Sequence, residues 1–62
     1  MQFLIETRRA KTAFKRDGKP FASVRNATEH FNGVAVVKRD DETVRLVKFN
    51  PRTNEKVVLA RA

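Results

Sequence analysis

The chain has no cysteine, no tryptophan and no tyrosine, and only two glycines, two prolines and one histidine in 62 residues. Without cysteine there can be no disulfide staple and no thiolate metal site, which points to a reducing compartment. With glycine only at 18 and 33, a glycine-rich phosphate loop cannot be built. The N-terminal apolar run is Phe3-Leu4-Ile5, broken by Glu6, Arg8 and Arg9. It is too short for the apolar part of a signal peptide or for a membrane span. The expectation is a cytoplasmic protein with no membrane partner.

Acidic residues are also scarce. Seven Asp and Glu stand against fourteen Lys and Arg, a formal charge of +7. A chain of this length forms one domain, residues 1–62, because a second core needs roughly 50 residues of its own. A domain of about 60 residues buries only about 60% of the surface its unfolded chain exposes, which leaves little room for a deep pocket with supporting shells. These limits favour a binding module over an enzyme.

Eighteen residues are large and apolar, and eight Val with five Phe make up thirteen of them. These are strand-favouring types. Thr43–Phe49 and Glu55–Arg61 read as strands, separated by the turn chemistry of Asn50-Pro51-Arg52-Thr53-Asn54. Val34–Arg39 reads as a further strand, with Asp40-Asp41-Glu42 in the gap that follows. Asn26-Ala27-Thr28-Glu29 has the form of a capping box and Asn32-Gly33 that of a stop, which predicts a short helix over residues 27–32 with Phe31 against the sheet.

Asp17-Gly18 between apolar segments is a hairpin signal. It predicts a strand through Ala10, Thr12 and Phe14 and a return through Phe21–Arg25, although residues 3–14 also fit a helix with Phe3, Ala10, Ala13 and Phe14 on one face. The expected fold is mainly β, α+β at most. It is a five-stranded antiparallel meander with one short helix, curling toward an SH3-like half-barrel.

The charge is uneven. Residues 1–19 carry a net +4, residues 20–39 a net +2 and residues 40–62 a net +1. On a strand, Arg9, Lys11 and Lys15 would share a face at about 7 Å intervals, close to the spacing of alternate phosphates along a nucleic-acid strand. The candidate phosphate contacts are therefore Arg8, Arg9, Lys11, Lys15, Arg16, Lys19 and Arg25, on the first hairpin and its return strand. The partner would be DNA or RNA. Lysine and arginine on an edge strand also serve to discourage aggregation. An acidic protein surface would fit the same cations, as for a phage-type or regulatory inhibitor of a host enzyme. Homodimerisation is compatible with both.

Of the five Phe, most are needed for the core, and Phe21 is the one expected to be exposed. No catalytic constellation is expected. Ser23 and His30 are seven residues apart with no third orienting group, and Asp40-Asp41-Glu42 is better explained as a turn beside Lys38, Arg39 and Arg45 than as a metal site. No cofactor is implied.

Overall fold

The computed structural model describes residues 1–62. The chain runs β1 (Gln2–Arg9), β2 (Lys15–Arg16), α1 (Val24–Val37), β3 (Glu42–Asn50) and β4 (Glu55–Arg61). The strands form one open antiparallel sheet in the order β2-β1-β3-β4, and α1 lies across β1 and β3 on one face. The fold is mainly β, but with four strands rather than five, and the sheet does not close into a half-barrel. No helix is long and apolar enough to cross a membrane.

The strand expected over Val34–Arg39 is helix through Val37. Ser23 caps α1, its Oγ accepting the Asn26 N–H at 3.4 Å, so the helix starts before the expected capping box. Ala27, Phe31 and Val34, spaced at i, i+4 and i+7, form the buried stripe. Val34 thus extends a helical stripe where the Val-rich run 34–39 suggested a strand. Packing outweighs β propensity here. Val36 and Val37 gain nothing from the arrangement and stay 83% and 77% exposed. Gly33 does not stop the helix, which runs on to the Lys38 C-cap.

The core is Ile5, Ala27, Phe31, Val44 and Leu46, with Phe3, Phe21, Val34 and Ala60 packed around it. Each fully buried large side chain contributes about 1.5–3 kcal/mol. Ala27 has no exposure and belongs to the same cluster as Ile5 and Leu46.

The first hairpin also differs from the expected one. β1 occupies Gln2–Arg9, and the turn comes directly after it. Ala10 adopts a left-handed φ of 52°, and the Thr12 hydroxyl donates to the Arg9 carbonyl at 2.7 Å. Residues 10–13 are therefore turn, neither strand nor helix. Asp17-Gly18, with Gly18 at φ +81°, ends β2 instead of joining two strands. The return strand over 21–25 shrinks to a single bridge in which Phe21 and Phe3 exchange backbone hydrogen bonds at 2.9 and 2.8 Å.

The C-terminal hairpin forms as expected. Asn50 Oδ1 accepts the Arg52 N–H at 3.0 Å, and Asn54 turns the chain at φ 61°. One irregularity interrupts the β3–β4 ladder. Leu46 pairs with Ala60 while Val47 pairs with Val58, leaving Leu59 as the extra residue of a bulge.

Candidate nucleic-acid interface

Side chains alternate along a strand, and cross-strand partners share a face. Because Ile5, Val44 and Leu46 point at α1, their neighbours point the other way. Register then places Leu4, Glu6 and Arg8 of β1 on the helix-free face, together with Arg16 of β2. Arg45, Val47 and Phe49 of β3 join them, as do Lys56, Val58 and Arg61 of β4. Five cations share this face with one carboxylate, a net of +4.

One cross-strand row spans the whole sheet. Arg16 pairs with Glu6, Glu6 with Arg45, and Arg45 with Arg61. With strands about 4.8 Å apart, the row is roughly 14 Å wide. Its only acid is Glu6, buried at 5% exposure. The Glu6 carboxylate accepts the Arg45 Nε–H at 2.7 Å through Oε1 and Lys56 Nζ at 3.0 Å through Oε2. Burial alone would push this carboxyl up. The Lys56 and Arg45 hydrogen bonds and charges more than offset burial and hold it below the ordinary 4.5.

Glu6 therefore balances one charge where two cations already meet. Arg61 stands directly opposite Arg45, a like-charge pairing that costs stability unless an anion lies nearby. No carboxylate reaches Arg16 or Arg61 within ion-pair distance.

Phe14 lies among these cations. The guanidinium of Arg45 is 3.7 Å from the Phe14 ring centroid and that of Arg8 is 4.6 Å away, within cation–π range. The ring covers Arg8, whose buried Nε has no hydrogen-bond partner. Leu4 and Val47, the latter with no exposure, give the face an apolar floor.

The seven sequence-derived candidates do not act as one row. Arg8 and Arg16 belong to the helix-free face. Lys11 is exposed in the β1–β2 turn and Lys19 is exposed in the segment after β2. Lys15 pairs with Thr7 and so faces the helix side of the edge. Arg9 is held by Asp41 at 3.0 Å, which lowers the Asp41 carboxyl and raises the Arg9 guanidinium. Arg25 is on α1, 4.0 Å from Glu29, and not on a return strand. The expected alignment of Arg9, Lys11 and Lys15 fails because the strand ends at Arg9.

Arg45, Lys56 and Arg61 were not among those candidates. Their alternation on the two C-terminal strands was visible in the sequence, but which face the helix leaves open was not. No Phe is exposed; Phe21, Phe14 and Phe49 are all half-buried. Phe21 packs against the core and 5.4 Å from the His30 ring, whereas Phe14 and Phe49 are the rings on the helix-free side.

Ser23, His30, Asp41 and Glu42 have structural partners. Ser23 Oγ is the helix cap, and His30 Nε2 lies 3.6 Å from Asp17. Asp41 is taken by Arg9, and Glu42 Oε1 accepts the Arg39 N–H at 2.8 Å. No three His, Asp or Glu side chains converge as a metal site would require. No protein-family model matches the chain, and no curated protein or solved structure matches it either.

Proposed function

We propose that this domain binds nucleic acid through the helix-free face of its sheet, holding the phosphate backbone with Arg8, Arg16, Arg45, Lys56 and Arg61. Lys11 and Lys19 add charge at the rim. The observation that carries this reading is the Arg16–Glu6–Arg45–Arg61 row, in which like charges oppose each other and a single buried acid offsets them. At roughly 3.4 Å per phosphate, a row about 14 Å wide spans about four phosphate steps of one strand. Such contacts confer affinity without base selectivity. The lack of cysteine supports action in the cytoplasm.

Salt titration with a labelled oligonucleotide tests it. The logarithm of the binding constant should fall linearly with the logarithm of salt concentration. Removing two phosphate contacts with Arg16→Glu and Arg61→Glu should reduce the slope by about 1.4–1.8. Arg25→Glu, on the helix side, should leave it unchanged. Absence of binding at low salt, or equal weakening by Arg25→Glu, sinks the reading. The second reading, a regulatory or phage-type inhibitor docking on an acidic protein, uses the same cations and predicts a complex that survives nuclease.

A further inference from the structure

The sheet has two unlike edges. β2 is two residues long, and the Phe3–Phe21 bridge continues the cover of β1 beyond it. β4 is seven residues long and nothing lies against its outer side. α1 packs over β1 and β3 but not over β4, so Val57 and Leu59 on the helix side remain 50% and 44% exposed, and Val58 on the opposite face is 41% exposed. Long, apolar and uncovered edges pair with other strands unless something blocks them.

The ladder shows which backbone groups are free. Val44 and Ala62 exchange both backbone hydrogen bonds, at 3.0 and 2.8 Å. Alternation then turns the N–H and C=O of Val44, Leu46 and Lys48 toward β4. Their partners Ala60 and Val57 point back, which leaves the N–H and C=O of Lys56 and Val58 directed outward.

We propose that β4 pairs antiparallel with β4 of a second copy of this chain, about a two-fold axis through Val57. In this register Val57 faces Val57, while Lys56 faces Val58 and Glu55 faces Leu59 of the second copy. The two Lys56–Val58 pairs exchange all the outward hydrogen bonds of those residues. A register centred on Val58 is the competitor. There the extra residue at the bulge would bring Lys56 against Arg61, and like charges directly opposed are destabilising. The Val57 register avoids that clash and keeps Val57 and Leu59 together on the helix side.

Surface area agrees with a missing partner. A 7.1 kDa monomer is expected to expose about 4,100 Å², whereas this chain exposes 4563 Å². The excess is a sizeable part of the ~800 Å² that each partner contributes to a standard interface. The dimer would join two four-stranded sheets into one and make their helix-free faces continuous. It rests on the edge geometry and stands whether or not that face binds phosphate.

Analytical ultracentrifugation of nuclease-treated protein is the first test. A reversible rise with concentration to about twice 7.1 kDa is expected, and Val57→Lys, which puts two like charges on the axis, should abolish it. The chain has no cysteine, so Val57→Cys adds a single thiol for a register-specific test. Val57 would sit in a non-hydrogen-bonded pair with Cα atoms about 4.5 Å apart, within disulfide reach. Under mild oxidation, Val57→Cys should cross-link on the order of a hundredfold faster than Val36→Cys on the outer surface of α1. The monomer mass at every concentration overturns the proposal, as does equal cross-linking by the two cysteine variants. Should Val57→Lys fail to fold by circular dichroism, the cross-linking rates decide. Loss of oligonucleotide binding with the dimer intact counts only against the nucleic-acid reading.

Discussion

Glu6 and Arg45 lie opposite each other on the two central strands, and the Arg45 Nε–H donates to the Glu6 carboxylate at 2.7 Å. The pair does two things at once. It joins β1 to β3 on the side of the sheet that α1 does not cover, and it fixes the Arg45 guanidinium over the Phe14 ring. Arg45 is thereby held in position at the centre of the cationic face.

Replacing Glu6 with Gln keeps the shape but leaves Arg45 and Lys56 without their counter-charge. Lys56 is nearly half exposed, so the loss is smaller than for a fully buried pair. Urea unfolding should show a cost of about 1–3 kcal/mol. A cost near zero would mean that solvent already screens the cluster.

The same carboxylate gives stability a pH dependence of known sign. Its folded-state pKa lies below the ordinary 4.5, so its contribution is complete above that value. It is lost as pH falls through the unfolded value and then the lower folded one. Asp41, held down by the Arg9 hydrogen bond against an ordinary 3.8, acts in the same direction. Unfolding curves from about pH 6 to pH 2 should show Glu6→Gln losing stability less steeply than the parent chain. Parallel curves would remove Glu6 as a source of acid sensitivity.

Phe14 should matter to order in the first turn as well as to stability. Phe14→Leu keeps an apolar cover but removes the ring over which Arg8 and Arg45 lie. A loss of about 1 kcal/mol is expected, with faster amide exchange over residues 10–15. Unchanged exchange there would show that the Thr12 hydrogen bonds alone hold the turn.

Gly33 offers a gain. It lies in the middle of α1 without a positive φ, and a Cβ built there meets nothing within 4 Å. Gly33→Ala should therefore stabilise the fold by about 0.5–1 kcal/mol, chiefly by restricting the unfolded chain. In a domain of this size that raises Tm by roughly 2–8 °C. Gly18→Ala, at φ +81°, should move Tm the other way.

The C-terminal half was legible because its signals are local. Alternation over Thr43–Phe49 and Glu55–Arg61 and the Asn-Pro turn between them each act within a few residues, and the hairpin follows from them. In the run from Ser23 to Lys38 the local signals mark only the middle turns of α1, which spans Val24–Val37. β-branched Val34, Val36 and Val37 prefer strands, and only the fit of Ala27, Phe31 and Val34 onto Ile5, Val44 and Leu46 makes that run helical.

By itself the sequence determined an excess of positive charge, the absence of thiol and glycine-loop chemistry, and a Val- and Phe-rich composition that favours a mainly β fold. It also placed the +4 concentration in residues 1–19. Only the tertiary structure decided which cations share a face. The first strand stops at Arg9, Asp41 takes Arg9, and Arg25 turns away on α1. Arg45, Lys56 and Arg61, from the nearly neutral C-terminal part, meet Arg8 and Arg16 instead. Charge along a chain is summed residue by residue, whereas charge on a face depends on strand order and on which side the helix covers. Both of those are set by long-range packing.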